Sequence, residues 1–527
     1  MHNVLYCIVI KNPFKKMPII FAGDKSSTFL VNDIDLLLSY KRIIAYDFHY
    51  CLETIRSKNR KLNSDIIDIK VIKKLLIGIP KKKLEDKKPW SLGNLINRYL
   101  DKKESIWLKR VYEFQSIDPL SDPLSVEIIK KVMTAFFQLY KDLVSQLKEQ
   151  NELQRFFKVE YPVTNIFLKR ELNGIKIAKS KLDDKIKELK KDYYRSLKQL
   201  EFKYDFSSHR IMLLNEWDDI RSYIGKSEFK DDFNYNIWET IEILREQEEF
   251  LELLYEAKYS GRDFKELLKY SVDKYVKIYP NFDVIGTVTA RILITKPGIQ
   301  YLKKENRKIF EPVKNKSFIY VDFDQFEPGI LASLSKDKNL IEFYNKGDIY
   351  NQISEVLFND MEHRRICKTL FLAYLYGMAK DRLLSLAKSS DEKIETRSFK
   401  NFFKLFEGSE KYRAKLLSDS RDNGFVDTYM GNRRYLRNKG SITQEEKRWV
   451  LSQKIQGTAS LIFKRGIIAI NQKYPELNIM VPMHDALLIE VEAESEEAYS
   501  QKVIRIMKEK YNEVCPEIDV RISLEEF

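Results

Sequence analysis

Asn478-Ile-Met-Val-Pro-Met-His484-Asp485-Ala486-Leu-Leu-Ile-Glu-Val491 reads as two apolar strands joined by a polar turn, an antiparallel hairpin with His484 and Asp485 at its tip. Far upstream, the apolar run Ser317-Phe-Ile-Tyr320 leads into a second carboxylate tip, Val321-Asp322-Phe-Asp324-Gln325-Phe-Glu327. On one strand Asp322 and Asp324 share a face, because side chains alternate. Between the two tips lies a helix-patterned segment, Glu362–Tyr376, in which Arg364, Lys368 and Leu372 recur every four residues. Magnesium takes one or two carboxylates and fills its remaining positions with water and substrate phosphate. Two ions held this way activate an attacking hydroxyl and neutralise a leaving phosphate. The helix supplies cations for a triphosphate, Arg as a bidentate fork and Lys as a point charge. Each feature alone is an ordinary turn or solvated helix face; together they are the minimal set for metal-assisted nucleotidyl transfer.

The bulk properties fit such a chain. At 527 residues it exceeds one core, and two to four domains are expected. Its 44% hydrophobic and 13% aromatic content marks a folded protein. A net charge of +14 suits a polyanionic partner, although a composition rich in Lys, Ile and Asn carries the same excess without one. Cys7, Cys51, Cys367 and Cys515 form no Cys-x-x-Cys pair, which argues against a zinc or disulfide framework and for a reducing compartment. No apolar run approaches the ~18 residues of a membrane span. The first ten residues read as a strand rather than a signal peptide, so a cytoplasmic, unsecreted protein is expected.

Residues 1 to about 150 alternate strands, such as Met17–Ala22 and Arg42–Tyr46, with helices, and a basic turn punctuates them at 80–89. From about 165 to 270 the pattern is helical. Leu182, Ile186, Leu189, Tyr193, Leu197 and Leu200 stripe a long amphipathic helix whose lysines form a solvated face or grip a polyanion. After Tyr279-Pro280 the texture is mixed, with strands expected around 317–323, 424–431, 477–491 and 518–523.

These segments resemble the ordered motifs of family A DNA polymerases, the DNA polymerase I family. Val321–Glu327 resembles motif A, Arg364-x-x-x-Lys368-x-x-x-Leu372-x-x-x-Tyr376-Gly377 the fingers helix, and His484-Asp485 motif C. Thr289-Ala290-Arg291 with Pro297 and Gln300, Gly424–Leu436, Gln456–Ala459 and Glu171–Ile177 follow in the family's order, so the likeness covers roughly residues 160–527. It implies an α/β multidomain fold: a right-hand polymerase with an antiparallel palm sheet and helical fingers and thumb, plus an N-terminal RNase H-like exonuclease-type domain. The implied divisions are 1–152 exonuclease-like, 153–278 thumb, 279–345 palm, 346–420 fingers and 421–527 palm.

By the same resemblance, Asp322 and Asp485 hold two Mg²⁺ ions, with Mn²⁺ as a substitute. Lys368 and Arg364 bind the triphosphate of a dNTP, and Lys368 assists pyrophosphate departure. Glu327, hydrogen-bonded to Tyr376, gates against a ribose hydroxyl. Tyr376 and Gly377 flank the templating base, while Tyr350, Leu372 and Gln325 sit by the nucleotide or primer end. Arg291, Gln456, His484 and Arg434 contact primer–template DNA, bound by a monomer.

The chain also departs from the family. Leu372 replaces an aromatic residue, Ala486 a carboxylate, Tyr350 a histidine and Pro328-Gly329 a Leu-Arg pair, and Asp324 adds an acid. In the first domain Ile43–Asp47, Asp65–Asp68 and Trp90–Leu92 parallel the nuclease, but no Asp-x-Glu occupies the first strand and Cys51 stands where an Asp is expected. Asp68 and Asp122 are left alone, so this domain is expected to be inactive. Three activities stay open: template-directed synthesis without proofreading, template-independent or translesion synthesis, and a non-catalytic DNA-binding scaffold.

Overall fold

The computed structural model describes residues 4–11, 18–24, 27–77, 89–116, 118–120, 125–214, 220, 223, 237–245, 248–271, 277–390, 394 and 396–527. Met17, positions 80–88 of the basic turn and Asp122 lie outside them.

In the N-terminal unit, β1 (Val4–Ile10), β2 (Ile19–Gly23), β3 (Thr28–Leu30), β4 (Arg42–Tyr46) and β5 (Asp65–Asp68) form one sheet in the order β3-β2-β1-β4-β5. β1, β4 and β5 run parallel, and β2 and β3 complete it antiparallel. The parallel centre explains why β4 is a continuous apolar run: helices cover both of its faces. Leu5, Cys7, Val9, Ile43 and Ala45 face one apolar cluster, which is closed by Leu52, Ile55, Leu168 and Leu172. Ile8, Ile10, Ile44 and Tyr46 face the main core, where the helix Ser125–Glu149 adds Val132, Phe136 and Leu139.

The long helix expected after 179 spans Lys179–Tyr204 and packs along Glu249–Ser271. Leu182, Leu189 and Leu200 are buried, whereas Lys187, Lys190, Lys191 and Lys198 are exposed, as the stripe requires.

The central sheet positions the candidate chemistry. Its four strands run in the order Asn478–Met483, Ala486–Glu492, Lys316–Phe323, Ile522–Leu524, every pair antiparallel. The expected hairpin is therefore present, with His484 and Asp485 as its turn. The 30-residue helix Gln444–Lys473 packs against the structure with Val450, Ile455, Leu461 and Ile467 buried, and a capping box of Thr443 and Glu446 fixes its start.

Two strand expectations need correction. Residues 424–431 do not form one strand but span a hairpin, Phe425–Thr428 and Gly431–Tyr435, which turns at Tyr429-Met430 and whose second arm opens on Gly431 at φ +80°. Of the last segment only Ile522 and Ser523 are strand, within Ile522–Leu524; upstream, the Asp519 N–H donates to the Asn345 side chain instead of a ladder. Among the described residues no helix is long and apolar enough to cross a membrane.

Candidate active site

Strand alternation sends Val321 and Phe323 into the core, where Phe323 stacks on Phe326 at 4.1 Å, and turns Asp322 to the opposite face. Asp485 reaches the same place from the hairpin tip, where His484 adopts φ +47°. The Phe323 N–H points at the Asp485 carbonyl at 3.4 Å, fastening the tip beside the strand end.

Burial and then the Asp485 carboxylate push the Asp322 carboxyl up to about 7; Glu525 and Asp324 add to the shift and Lys368 opposes it. Burial likewise raises Asp485, against Arg291, His484 and Lys368. Crowded carboxylates of this kind are relieved by a cation. Among the described residues no group of three or more His, Cys, Asp or Glu side chains converges on one point. The carboxylates that the sheet brings to this place, Asp322 and Asp485, are of the kind that magnesium takes when it completes its shell with water and substrate oxygens. Asp324 lies beyond the strand end, so alternation does not place it; its carboxylate accepts from the Ser523 hydroxyl at 2.9 Å.

Lys368 and Arg364 lie on the helix Arg364–Leu375. Lys368 is exposed, and its charge acts on both aspartates. Arg364 is paired with Asp348 at 2.7 Å and lies over the buried Tyr350 ring at 5.5 Å. Lys368, Leu372, Tyr376 and Gly377 line a cleft of about 940 Å³ with Arg413 and Arg448. Gly377 is required there: φ is +87°, and a Cβ would collide with the Arg413 guanidinium, which donates to the Gly377 carbonyl at 2.9 Å.

Several expected contacts are replaced by others. Glu327, buried in the first turn of Phe326–Ser335, pairs with Arg291 and not with Tyr376. The Tyr376 hydroxyl instead accepts from Gln456 Nε2 at 3.0 Å. A guanidinium outcompetes a phenol for a buried carboxylate because the bond is charge-assisted. Burial still holds the Glu327 carboxyl up at about 7, against the pull of Arg291. Gln325, in a left-handed turn, accepts from the Ile349 N–H at 3.0 Å, and Arg434 stacks over Trp449 at 3.8 Å. Arg291, Gln325 and Arg434 thus carry intramolecular contacts in this structure.

One residue escaped the sequence reading. Glu152, fully buried after the helix Ser125–Glu149, accepts from the backbone N–H groups of Asn432 and Arg433, both at 2.9 Å. It pins the hairpin that carries Arg433 and Arg434. No local pattern announces a contact between positions so far apart in sequence; the nearest signal is an acid that follows a helix end without capping it.

The family model described as DNA polymerase family A matches residues 172–526. The chain is 25% identical over 452 residues to DNA polymerase I of Borreliella burgdorferi, covering 80% of this chain and 49% of that protein. It is 24% identical over 424 residues to DNA polymerase I of Bacillus subtilis, with 74% and 47% covered. With the thermostable DNA polymerase I of Thermus thermophilus it shares 24% over 414 residues, 72% and 48% covered. The chain spans about half the length of these relatives. In fold it is similar to the polymerase domain of Pol1 from M. smegmatis, solved in complex with DNA primer-template and dNTP, with a TM-score of 0.74 and 18% identity over 100% of this chain and 96% of that one.

Proposed function

The chain belongs to DNA polymerase family A, and on that premise we propose that it adds dNTPs to a primer 3′-hydroxyl under template direction, with two divalent ions. The observation that carries this reading is the meeting of Asp322 and Asp485 at neighbouring strand ends, with the Lys368 charge reaching both. Magnesium, when bound by these carboxylates, lowers the pKa of the attacking hydroxyl and neutralises charge on the phosphates. Lys368 stands on the exposed face of its helix to meet the triphosphate, and Arg364 joins it by exchanging Asp348 for phosphate. Glu327 fills the floor of the sugar site, oriented by Arg291. Tyr376, held by Gln456, and the small Gly377 border the templating position. The catalytic effect is one of positioning and charge neutralisation.

The divisions 153–278 thumb, 279–345 and 421–527 palm and 346–420 fingers follow from the same reading, as does a nuclease-like origin for 1–152. We read that unit as inactive in proofreading, on two features of its described residues. Cys7 and Cys51 are buried in an apolar cluster with Leu5, Val9 and Leu52, and Asp47 is spent on Lys70, at 3.1 Å, and Tyr112. The four free, buried cysteines suit a reducing, cytoplasmic compartment.

Primer extension tests the proposal. Purified protein with Mg²⁺ and dNTPs should add the complementary nucleotide to a primed template, and it should leave a mismatched 3′-end unexcised. Equal addition to an unpaired single strand would favour the template-independent reading. Failure to extend any primed template in Mg²⁺ or Mn²⁺ would leave only the scaffold.

A further inference from the structure

Ile522–Leu524 borders the strand that carries Asp322, with Ser523 opposite Asp322 and Leu524 opposite Val321. The ladder continues one residue further, where the Glu525 N–H donates to the Tyr320 carbonyl at 3.0 Å. Directly opposed residues project to the same face, as do alternate residues of one strand. Tyr320, Asp322, Ser523 and Glu525 therefore share a face, and Glu525 is the diagonal neighbour of Asp322. That separation, about 7 Å between backbones, is one a long side chain spans.

On the other side of Asp322 the register places Ala486. Asp322 is thus flanked by a methyl group from one neighbouring strand and by an acid, one diagonal away, from the other. The Glu525 carboxylate is 39% exposed and pairs with Lys304, itself 53% exposed, at 2.8 Å. Such a hydrated pair is weak and separates at little cost. Among the described residues no three acidic side chains converge on one point, and Glu525 is placed here outside the Asp322–Asp485 pair.

We infer that Glu525 is a positioning residue of the metal site, which supplies from the last strand the auxiliary carboxylate that Ala486 lacks. It acts one shell out, accepting hydrogen bonds from the water that completes the ions' coordination and adding negative charge beside Asp322. Outer-shell carboxylates of this kind alter metal affinity about 10-fold or more. The inference rests on the proposed role of Asp322 and Asp485 as metal ligands.

Mn²⁺ binding to the intact protein without DNA, followed by electron paramagnetic resonance, tests it. Glu525→Gln should weaken Mn²⁺ binding about 10-fold with an unchanged thermal midpoint in chelator, and adding Ala486→Glu to that variant should restore most of the affinity. Lys304→Ala, which frees the carboxylate, should leave Mn²⁺ affinity equal or tighter. Affinity within twofold of wild type in Glu525→Gln would overturn the inference. So would equal losses in Glu525→Gln and Lys304→Ala, because that pattern belongs to a structural ion pair. Asp485→Ala is the control for the underlying reading: if it binds Mn²⁺ like wild type, the ligand assignment fails, irrespective of Glu525.

Discussion

Replacing Glu152 by Ala separates the grip on DNA from the chemistry. The carboxylate is fully buried and takes two backbone N–H bonds at 2.9 Å from the hairpin arm that begins at Gly431. Its removal strands one buried donor, the Asn432 N–H, and one half-buried, the Arg433 N–H, at up to about 1–3 kcal/mol each. Part of that is offset, because burial raises the Glu152 carboxyl and so already works against its charge. The net cost is about 3 kcal/mol. Thr428 Oγ1 still donates to the Gly431 carbonyl at 2.7 Å, and Gln453 Nε2 to the Asn432 carbonyl at 3.1 Å, so the hairpin loosens without leaving the fold. Arg433 and Arg434 lose their fixed positions. Titrating a labelled primer–template at fixed salt should show a Kd about tenfold weaker, equivalent to about 1.4 kcal/mol. Turnover at saturating DNA should fall less, and Glu152→Gln, which keeps one acceptor, should lie between. A denaturation midpoint and a Kd both equal to wild type in Glu152→Ala would mean that Glu152 does not hold the hairpin.

Two further outcomes follow from buried groups outside the catalytic pair. Burial raises the Glu171 carboxyl to about 8, although it accepts from the Phe282 N–H at 2.6 Å. A raised carboxyl stabilises the fold below its unfolded value of about 4.5 and loses that contribution as pH climbs through about 8. Glu171→Gln should therefore match wild type in urea unfolding near pH 4.5 and exceed it at pH 8, on the order of 3 kcal/mol; equal stability at pH 8 would contradict this. Gly329→Ala should destabilise by about 1–3 kcal/mol, since the new methyl would meet the Tyr511 hydroxyl and the Tyr344 ring in a full core. An unchanged thermal midpoint would show that those rings yield.

What the sequence disclosed depended on whether the signal was local. The tip at His484-Asp485 was readable because a short polar turn joins two apolar runs, and Asp322 because an apolar strand runs straight into it. The helix through Lys368 announced itself by period alone. Side-chain partners were not readable. Arg291 takes Glu327, and Gln456 takes Tyr376, only once four separate segments are stacked around one site. Gly329, which removes a cation relative to the family pattern, is explained by two tyrosines from elsewhere in the chain that leave no room for a side chain. The split of 424–431 into a hairpin was within reach, since Gly431 follows a short run of strand-forming residues. The buried anchor that stabilises that turn, Glu152, was not.

In the proposed reaction Asp322 and Asp485 act as one metal-binding pair in nucleotidyl transfer. Single-turnover incorporation of one dNTP into a pre-bound primer–template, by wild type, Asp322→Asn, Asp485→Asn and the double variant, tests it most directly. Each single variant should bind DNA normally and lose incorporation by at least about 1,000-fold, or about 4 kcal/mol in the barrier, with the double variant no slower. Incorporation by Asp485→Asn within tenfold of wild type, or losses that multiply in the double variant, would contradict the account.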